Sequence, residues 1–351
     1  RSTRRASSPR TRAFPHRGDE RDARHVRRER APSQRHLDEP GVEQRAPLKV
    51  GPTAFGPDGD DRVLQKLAAH LPQKLPDDAK FTEPHIKALI LLQCHFSREP
   101  LPVDLRNDLD LVLSDALRLL QALVDVISSN GWLKPALAVM ELSQMIVQGL
   151  WDRDHTLLQV PHFTREIVAR CEASTEEVEA VLDILNLDDA VRDELLQLPP
   201  HKMSDVAAFC NNYPNIDVAY EIADSDSITA GDAVNMIVKL EREVDDDDDD
   251  DAGSRNFGQV NAPRYPKSKT EGWWLVVGDV ERNTLMSIKR VTLQQRAQSK
   301  LDFVAPDEPG EYTLQIFLMS DSFLGCDQQY EVTLSVGEAE SEDEEEDEME
   351  S

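Results

Sequence analysis

The residues of this sequence that could carry out chemistry do not stand at the spacings that the chemistry requires. The histidines include no H-x-x-x-H or H-E-x-x-H pair in the part of the chain with apolar periodicity, so no zinc site is predicted. Residues 51–56 begin and end with glycine, but Pro57 and Asp58 follow where a phosphate-binding loop carries lysine and a hydroxyl residue. No G-x-S-x-G nucleophile motif occurs. We therefore predict no catalytic, cofactor-binding or metal-binding residue in this chain.

The cysteines are widely spaced along the chain: Cys94, Cys171, Cys210 and Cys326. None forms a C-x-x-C pair, and each falls in or beside an apolar segment. Free cysteine is among the most frequently buried residue types, and a disulfide framework would show regular spacing in a small chain. We predict buried, reduced thiols in an intracellular protein.

A long helix predicted over residues 101–130 carries the candidate contact for RNA or a protein partner, Arg118. Asn130-Gly131 ends this helix, because Gly131 can adopt the left-handed cap conformation. Five aspartates and two arginines among the polar positions give the helix a charge of −3. A helix that follows a phosphate backbone would have the opposite balance, so a scaffold helix is favoured over an RNA contact. The apolar positions with the 3.6-residue period are Leu109, Val112, Leu113, Ala116, Leu119, Leu120, Leu123 and Val126.

Charge is distributed unevenly along the chain. The net charge is −28, although residues 1–47 hold thirteen arginines and seven acidic residues. Residues 245–251 and 338–351 together hold seventeen acidic residues, and the rest of the chain beyond residue 47 carries about −17. Such a body suits basic protein partners better than nucleic acid. No apolar run approaches the roughly 18 residues that span a bilayer, so no membrane contact is predicted.

Periodicity divides the chain into segments. Residues 1–60 have almost no apolar pattern and are predicted to be disordered, either as a basic arm for RNA or, preferentially, as a linker or mispredicted exon. A bundle of amphipathic helices is predicted over residues 61–171. Residues 172–213 predict a helix-loop-helix domain, whose first helix, over 174–185, would begin with a capping box of Ser174 and Glu177. Trp132 is expected to pack against the helix that follows it.

After Pro214 the apolar period changes from 3.6 to 2. About seven strands with turns between them predict an antiparallel sandwich of immunoglobulin or fibronectin type over residues 214–337, with 245–251 as an acidic loop. In the apolar run at 273–280, Trp273 and Trp274 should point to opposite faces, one into the core. The fold class is therefore α+β. The tail at 338–351 is predicted to be disordered, with Ser341 either a site for an acid-directed kinase or an unmodified, solvated residue.

Several long segments, in order, resemble the Sec sixty-three homology region of DExH-box RNA helicases. The match extends over about residues 60–337 and is similar to the C-terminal, second cassette of the spliceosomal members, which belong to the U-five small nuclear ribonucleoprotein. The segments that carry the resemblance are ALRLLQA (116–122), VISSNGW (126–132), LQVPHFT (158–164), AAFCNNYPNI (207–216) and EGWWLVVGD (271–279).

The resemblance implies a function that the residues alone do not. In that family a helical bundle, a helix-loop-helix and an immunoglobulin-like domain follow one another. The parent would be a nuclear, ATP-dependent RNA helicase that unwinds a small-nuclear-RNA duplex in pre-mRNA splicing, with ATP and magnesium bound by helicase domains upstream of Arg1. The second cassette regulates the first and docks spliceosomal proteins. This fragment would accordingly be a non-catalytic module with the upstream cassettes as partners in cis.

Two alternatives remain open at this point. In active cassettes of the family a long bundle helix moves along the translocating strand, and Arg118 lies in the corresponding helix, so the module could grip RNA. Ser128-Ser129-Asn130 stands at the end of that helix, where cations would favour RNA. The homologous region of the endoplasmic-reticulum translocon J-protein is the other alternative, and an acidic tail is common to both families.

Overall fold

The computed structural model describes residues 4–5, 57–176, 178–225, 227–243 and 258–338. These residues form seven α-helices: α1 (Pro57–Ala68), α2 (Pro84–Ser97), α3 (Val103–Ser129), α4 (Leu133–Gln148), α5 (Arg165–Ala173), α6 (Asp189–Leu196) and α7 (Pro200–Asn212). They also form ten strands: β1 (Arg4–Arg5), β2 (Ile216–Ile222), β3 (Ala233–Arg242), β4 (Gln259–Val260), β5 (Lys269–Thr270), β6 (Trp273–Asp279), β7 (Thr284–Val291), β8 (Arg296–Val304), β9 (Gly310–Ser320) and β10 (Gln328–Val336). Helices followed by antiparallel strands confirm the predicted α+β class.

The chain divides into two compact units within α3. One unit is residues 12–112, which contains α1, α2 and the first part of α3. Its buried apolar side chains come mainly from α2 and α3, including Ile90, Leu91 and Leu105. Lys87 and Asp108 join the same two helices through an ion pair of 2.7 Å between Nζ and Oδ2. None of the described helices is long and apolar enough to cross a membrane.

The other unit contains residues 1–11 and 113–351, hence the later helices and the strands. The predicted end of α3 is confirmed: the helix ends at Ser129, and Gly131 has a φ of 71°. Gly149, with a φ of 59°, caps α4, because its N–H donates to Met145 O in a left-handed cap that other residues adopt only with strain. Helix α4 therefore ends at Gln148.

The helix predicted over 174–185 is wrong. Ser174 follows the end of α5, and its hydroxyl accepts a hydrogen bond from Glu176 N (3.1 Å) in a turn. The Asp183 carboxylate accepts from the N–H groups of Glu179 (3.0 Å) and Ala180 (2.7 Å), and such side-chain bonds compete with helical backbone bonds. Only a 3₁₀ turn, Leu182–Ile184, forms among the described residues there. Glu177, the other half of the predicted capping box, lies outside them.

Two four-stranded antiparallel sheets follow the helices. Their strand orders are β1-β2-β3-β8 and β10-β9-β6-β7, and β4 pairs with β5 separately. Alternate residues of both sheets enter one apolar core, including Met236, Val238, Leu275 and Ile316, which is the packing of a β-sandwich. Kinship with immunoglobulin domains stays a prediction, and the acidic loop at 245–251 lies outside the described residues.

Strand β6 is buried on both faces. Trp273 points into the core between the sheets, and its indole Nε1 donates to Glu271 Oε1 (3.3 Å). Trp274 points to the other face, where it shares a second apolar cluster with Leu133 and Met140 of α4. The opposite orientation of the two rings is confirmed: the second ring is buried in a cluster with residues of α4, and the Arg290 guanidinium lies 4.2 Å from its centroid. Helix α4 therefore forms a third layer over the β6 sheet.

Candidate functional site

Arg118 lies on the exposed side of α3. Its side chain is 64% exposed, and its Nη2 lies 3.7 Å from Asp115 Oδ1, one turn earlier on the helix. An exposed i,i+3 ion pair contributes little to stability, on the order of 0.5 kcal/mol or less. The guanidinium is therefore accessible to a partner, and its role as a contact for RNA or protein stays a prediction.

The apolar face of α3 differs from the predicted one in its C-terminal half. Leu119, Leu123 and Val126 were expected in the core, but they are 42%, 43% and 58% exposed. Val124 and Ile127 are buried instead, in the cluster that packs on β6 and α4. This half of the helix is apolar on two sides, and the sheet covers one of them. We call the exposed residues Leu119, Leu123 and Val126 the α3 apolar strip.

The end of α3 has no cation in its last turn. Ser128 Oγ donates to Asp125 O (3.1 Å), Ser129 Oγ to Val126 O (2.8 Å), and Asn130 Nδ2 to Val126 O (2.8 Å). These bonds satisfy terminal carbonyls that a helix cannot pair internally. The negative end of the helix dipole therefore stays uncompensated by charge, which disfavours phosphate at this point.

Trp132, between α3 and α4, is 51% exposed. It is the N-cap residue of α4, and the expectation that its ring packs against that helix stays a prediction. Its backbone pairs with Thr284, and Asn283 Oδ1 accepts from Lys134 N (2.8 Å), so the start of α4 is joined to the β6–β7 turn. Trp132 extends the exposed apolar surface beyond the helix end.

A set of polar contacts between the helices and the sandwich was not predicted from the sequence. Three glutamines from the helical region hold the end of β9 and the loop between β9 and β10. We call residues 320–327 the clasp loop. Gln144 Nε2 donates to Ser320 O (2.9 Å), Gln148 Nε2 to Ser322 O (2.7 Å), and Gln159 Nε2 to Leu324 O (2.7 Å). All three glutamines are buried. The available signal was the i,i+4 spacing of Gln144 and Gln148 on an otherwise apolar face of α4.

Asp327 is the last residue of the clasp loop, and the pKa of its carboxyl group is raised. Its oxygens accept from Gln144 Nε2 (3.0 and 2.8 Å) and from Ser320 N (2.7 Å). Burial raises the pKa of Asp327 to about 7, the hydrogen bonds from Gln144 and Ser320 oppose that rise, and the nearby Glu141 carboxyl adds to it. Burial and Asp152 raise the pKa of Glu141 as well. The junction of helices and sandwich thus holds carboxyl groups that resist ionisation.

Another buried ionic group lies at the start of β6. Arg242 Nη2 contacts Glu271 Oε1, and both side chains are almost fully buried. Burial raises the pKa of Glu271, and the Arg242 charge opposes that rise. Asp321 accepts from Gly272 N (2.9 Å) and pairs with the amino group of Lys269 (2.8 Å). These bonds fix the approach to β6.

The sequence also singled out the cysteines, Ser341 and the glycine pair at 51 and 56. All four cysteines are buried and free, as predicted, and burial raises the pKa of each thiol, to about 11 for Cys94 and about 12 for Cys210. Ser341 lies outside the described residues, as does the glycine pair at 51 and 56. No cluster of three or more metal-ligating side chains occurs in the part of the chain that the structure describes.

Comparison with known proteins identifies the family. A family model for the Sec63 Brl domain matches residues 58–333. The U5 small nuclear ribonucleoprotein 200 kDa helicase of Drosophila melanogaster is 49% identical over 286 residues, which are 80% of this chain and 13% of the relative. Its human counterpart is 48% identical over 282 residues, or 80% and 12%. The DExH-box ATP-dependent RNA helicase DExH12 of Arabidopsis thaliana is 46% identical over 280 residues, or 79% and 12%.

The chain thus spans about an eighth of the length of these relatives. The resemblance predicted from the dispersed segments is confirmed, because the family model extends from α1 to β10. We conclude that this chain belongs to the Sec63 Brl domain family.

Proposed function

We propose that this chain is the non-catalytic C-terminal module of a spliceosomal ATP-dependent RNA helicase, in the second of two cassettes, and acts as a regulatory and protein-docking platform. Identity of 46–49% to proteins named as helicases, one of them as an ATP-dependent RNA helicase, supports the parent. ATP, magnesium and duplex unwinding would then belong to helicase domains outside this chain. The proposed partners are those cassettes in cis and spliceosomal proteins in the nucleus.

The observation that carries the docking role is the α3 apolar strip. Leu119, Leu123 and Val126 are each more than 40% exposed, and Trp132 adds an exposed aromatic ring. Apolar surface of this kind is typical of protein interfaces, which are enriched in aromatic residues and depleted of charge at their centre. Asp115 and Asp125 lie on the same helix, so a phosphate backbone would meet negative charge.

A binding titration distinguishes docking from RNA gripping. Fluorescence anisotropy with single-stranded RNA is measured at 50 and 200 mM salt. We expect dissociation constants of roughly 10⁻⁴ M or weaker at physiological salt, as for non-specific contacts. Arg118→Glu should leave that binding unchanged, as should Arg106→Glu on the same helix. Tight binding with a steep salt dependence that only Arg118→Glu abolishes would support the RNA-gripping alternative instead.

A second experiment tests docking in the complete helicase. Leu123→Asp places a charge in the α3 apolar strip, whereas Gln121→Asp places the same charge on an exposed position outside it. We expect Leu123→Asp to weaken association with the spliceosomal partner by tenfold or more, and Gln121→Asp to have no effect, because a charge in an apolar interface must be desolvated. Equal behaviour of both variants would contradict the docking role of the strip.

A further inference from the structure

Two cations share a single carboxylate oxygen beside the start of β6. Lys269 Nζ and Arg290 Nη2 each donate to Asp321 Oδ2 at 2.8 Å, so the two nitrogens lie no more than twice that distance apart. The other oxygen, Oδ1, accepts from Gly272 N (2.9 Å) and contacts the Ser322 hydroxyl. One negative charge therefore balances two positive charges at this point.

The acidic residue that follows β5 is already paired. Glu271 contacts the guanidinium of Arg242, and both side chains are almost fully buried. Residues 259–270, which precede β6, hold three cations and no acidic residue. One of them, Lys267, donates through Nζ to Ser114 O (3.1 Å) rather than to a carboxylate. The start of β6 thus carries an excess of positive charge, although the chain as a whole is acidic.

The Arg290 guanidinium is held in place before any ligand arrives. It lies 4.2 Å from the centroid of the buried Trp274 ring, and Asp321 fixes its Nη2. A Cβ on Gly272 would lie 2.7 Å from Nη2 of Arg290 and from Oδ2 of Asp321, so a larger residue would displace this pair. The Arg290 side chain is still 38% exposed, and its Nε and Nη1 have no hydrogen-bond partner in the part of the chain that the structure describes. A guanidinium fixed in this way loses little side-chain freedom when it binds an anion.

The ligand that suits this arrangement is a compact anion with several acceptor oxygens. A phosphorylated side chain carries about −1.5 to −2 charges and three acceptor oxygens, so one group can accept from both Arg290 and Lys269. A carboxylate offers less charge and fewer oxygens. An RNA strand is disfavoured, because the Trp274 ring is buried under the guanidinium and cannot stack on a base. Lys267 also joins this surface to α3 beside Asp115, which would repel further phosphates along a strand.

We propose that Arg290 and Lys269 form a binding site for a phosphorylated serine or threonine of a partner protein. Phosphorylation of that partner then controls whether it docks on the sandwich. The site is formed by strands and not by the α3 apolar strip, and the proposal does not require the helicase assignment.

A titration of the complete chain in phosphate-free buffer tests the proposal. The probe is a pentapeptide with a central phosphoserine between alanine and glycine residues, compared with the same peptide carrying serine or glutamate at that position. The arginine Nε–Hε signals are followed by NMR, with Arg290→Lys to assign the signal of Arg290. We expect the phosphopeptide to shift this signal and to bind at least tenfold more tightly than either of the other peptides, because charge-assisted hydrogen bonds to phosphate are the stronger ones.

Two variants and a control separate this site from general attraction to positive charge. Arg290→Gln and Lys269→Gln should each weaken phosphopeptide binding by tenfold or more. Arg296→Gln removes the same charge from an exposed arginine of β8 that is paired with Glu241, and it should leave the affinity unchanged. Urea unfolding of each variant verifies that it is folded under the conditions of the titration, and Lys269→Gln keeps the test decisive if Arg290→Gln does not fold.

Several results would overturn the proposal. Equal affinity for the three peptides would do so, and so would unchanged phosphopeptide binding in the folded Arg290→Gln or Lys269→Gln variants. Equal weakening by Arg296→Gln would indicate attraction by net charge alone. A short single-stranded RNA that binds more tightly than the phosphopeptide, and loses that affinity in Lys269→Gln, would assign the site to nucleic acid instead.

Discussion

The Asp327 carboxyl should make the stability of the sandwich depend on pH near neutrality. The perturbation is Asp327→Asn, which removes the ionisable group and keeps its shape. The pKa of Asp327 is about 7 in the folded chain, and its ordinary value is 3.8. Below about pH 4 both folded and unfolded chains hold the proton, so the carboxyl costs nothing. Between pH 4 and 7 the unfolded chain loses the proton while the folded chain keeps it, so the free energy of unfolding falls as pH rises.

The size of this fall in the free energy of unfolding follows from the pKa shift of Asp327. About three pKa units at about 1.4 kcal/mol each give about 4 kcal/mol as an upper limit. The Asp327 side chain is not wholly removed from solvent, and solvent screens its charge, so we expect about 2–4 kcal/mol between pH 4.5 and 8. Glu141 adds a slope of its own, because burial raises its pKa too. That burial is common to both proteins, so most of its contribution cancels in their difference.

Urea unfolding followed by tryptophan fluorescence measures the effect, because Trp273 and Trp274 are buried in the sandwich. The wild type should lose about 2–4 kcal/mol more than Asp327→Asn between pH 4.5 and 8. Asp302→Asn, at an exposed position of β8, is the control and should follow the wild type. Gln144→Leu removes a hydrogen bond that favours the charged form, so the midpoint should move above pH 7. Parallel profiles for wild type and Asp327→Asn would refute the reasoning.

Two predictions concern the burial of β6. Gly278→Ala should destabilise the sandwich by about 1–3 kcal/mol in urea unfolding, because a Cβ there would lie 2.7 Å from Leu133 Cδ2 and 2.8 Å from Thr284 O, and the backbone oxygen cannot rotate away. Gly337→Ala, whose Cβ has ordinary contacts at 3.5 Å or more, should change stability far less. Arg242→Met should cost about 3–5 kcal/mol, because it leaves Glu271 buried without a counter-charge, whereas the double change with Glu271→Leu should recover most of the loss. Additive losses in that double variant would contradict the ion-pair account.

Local patterns in the sequence determined most of the secondary structure. The 3.6-residue period of α3 and the glycine after it predicted the end of the helix to within one residue, and the change of period after Pro214 preceded the start of β2 at Ile216. The same reasoning failed at Ser174, where Asp183 holds the backbone in a turn. Periodicity takes account of apolar residues only. It does not include side-chain hydrogen bonds to the backbone, which determine whether a short segment forms a helix or a turn.

The candidate site was less predictable, because its contacts join distant parts of the chain. Gln144 and Ser320 are 176 residues apart, and no local pattern contains both of them. The α3 apolar strip has the same composition as the buried face beside it, so the sequence could not tell which of the two the sheet covers. One signal was available in β6: a run with no polar alternation requires cover on both faces of a strand. That requirement could be met only by an element outside the sandwich. Helix α4 provides it, because its Leu133 and Met140 share an apolar cluster with Trp274. The helices and the sandwich are therefore joined by an apolar layer as well as by the clasp loop. A substitution in either of these two contacts should also affect the stability of the other.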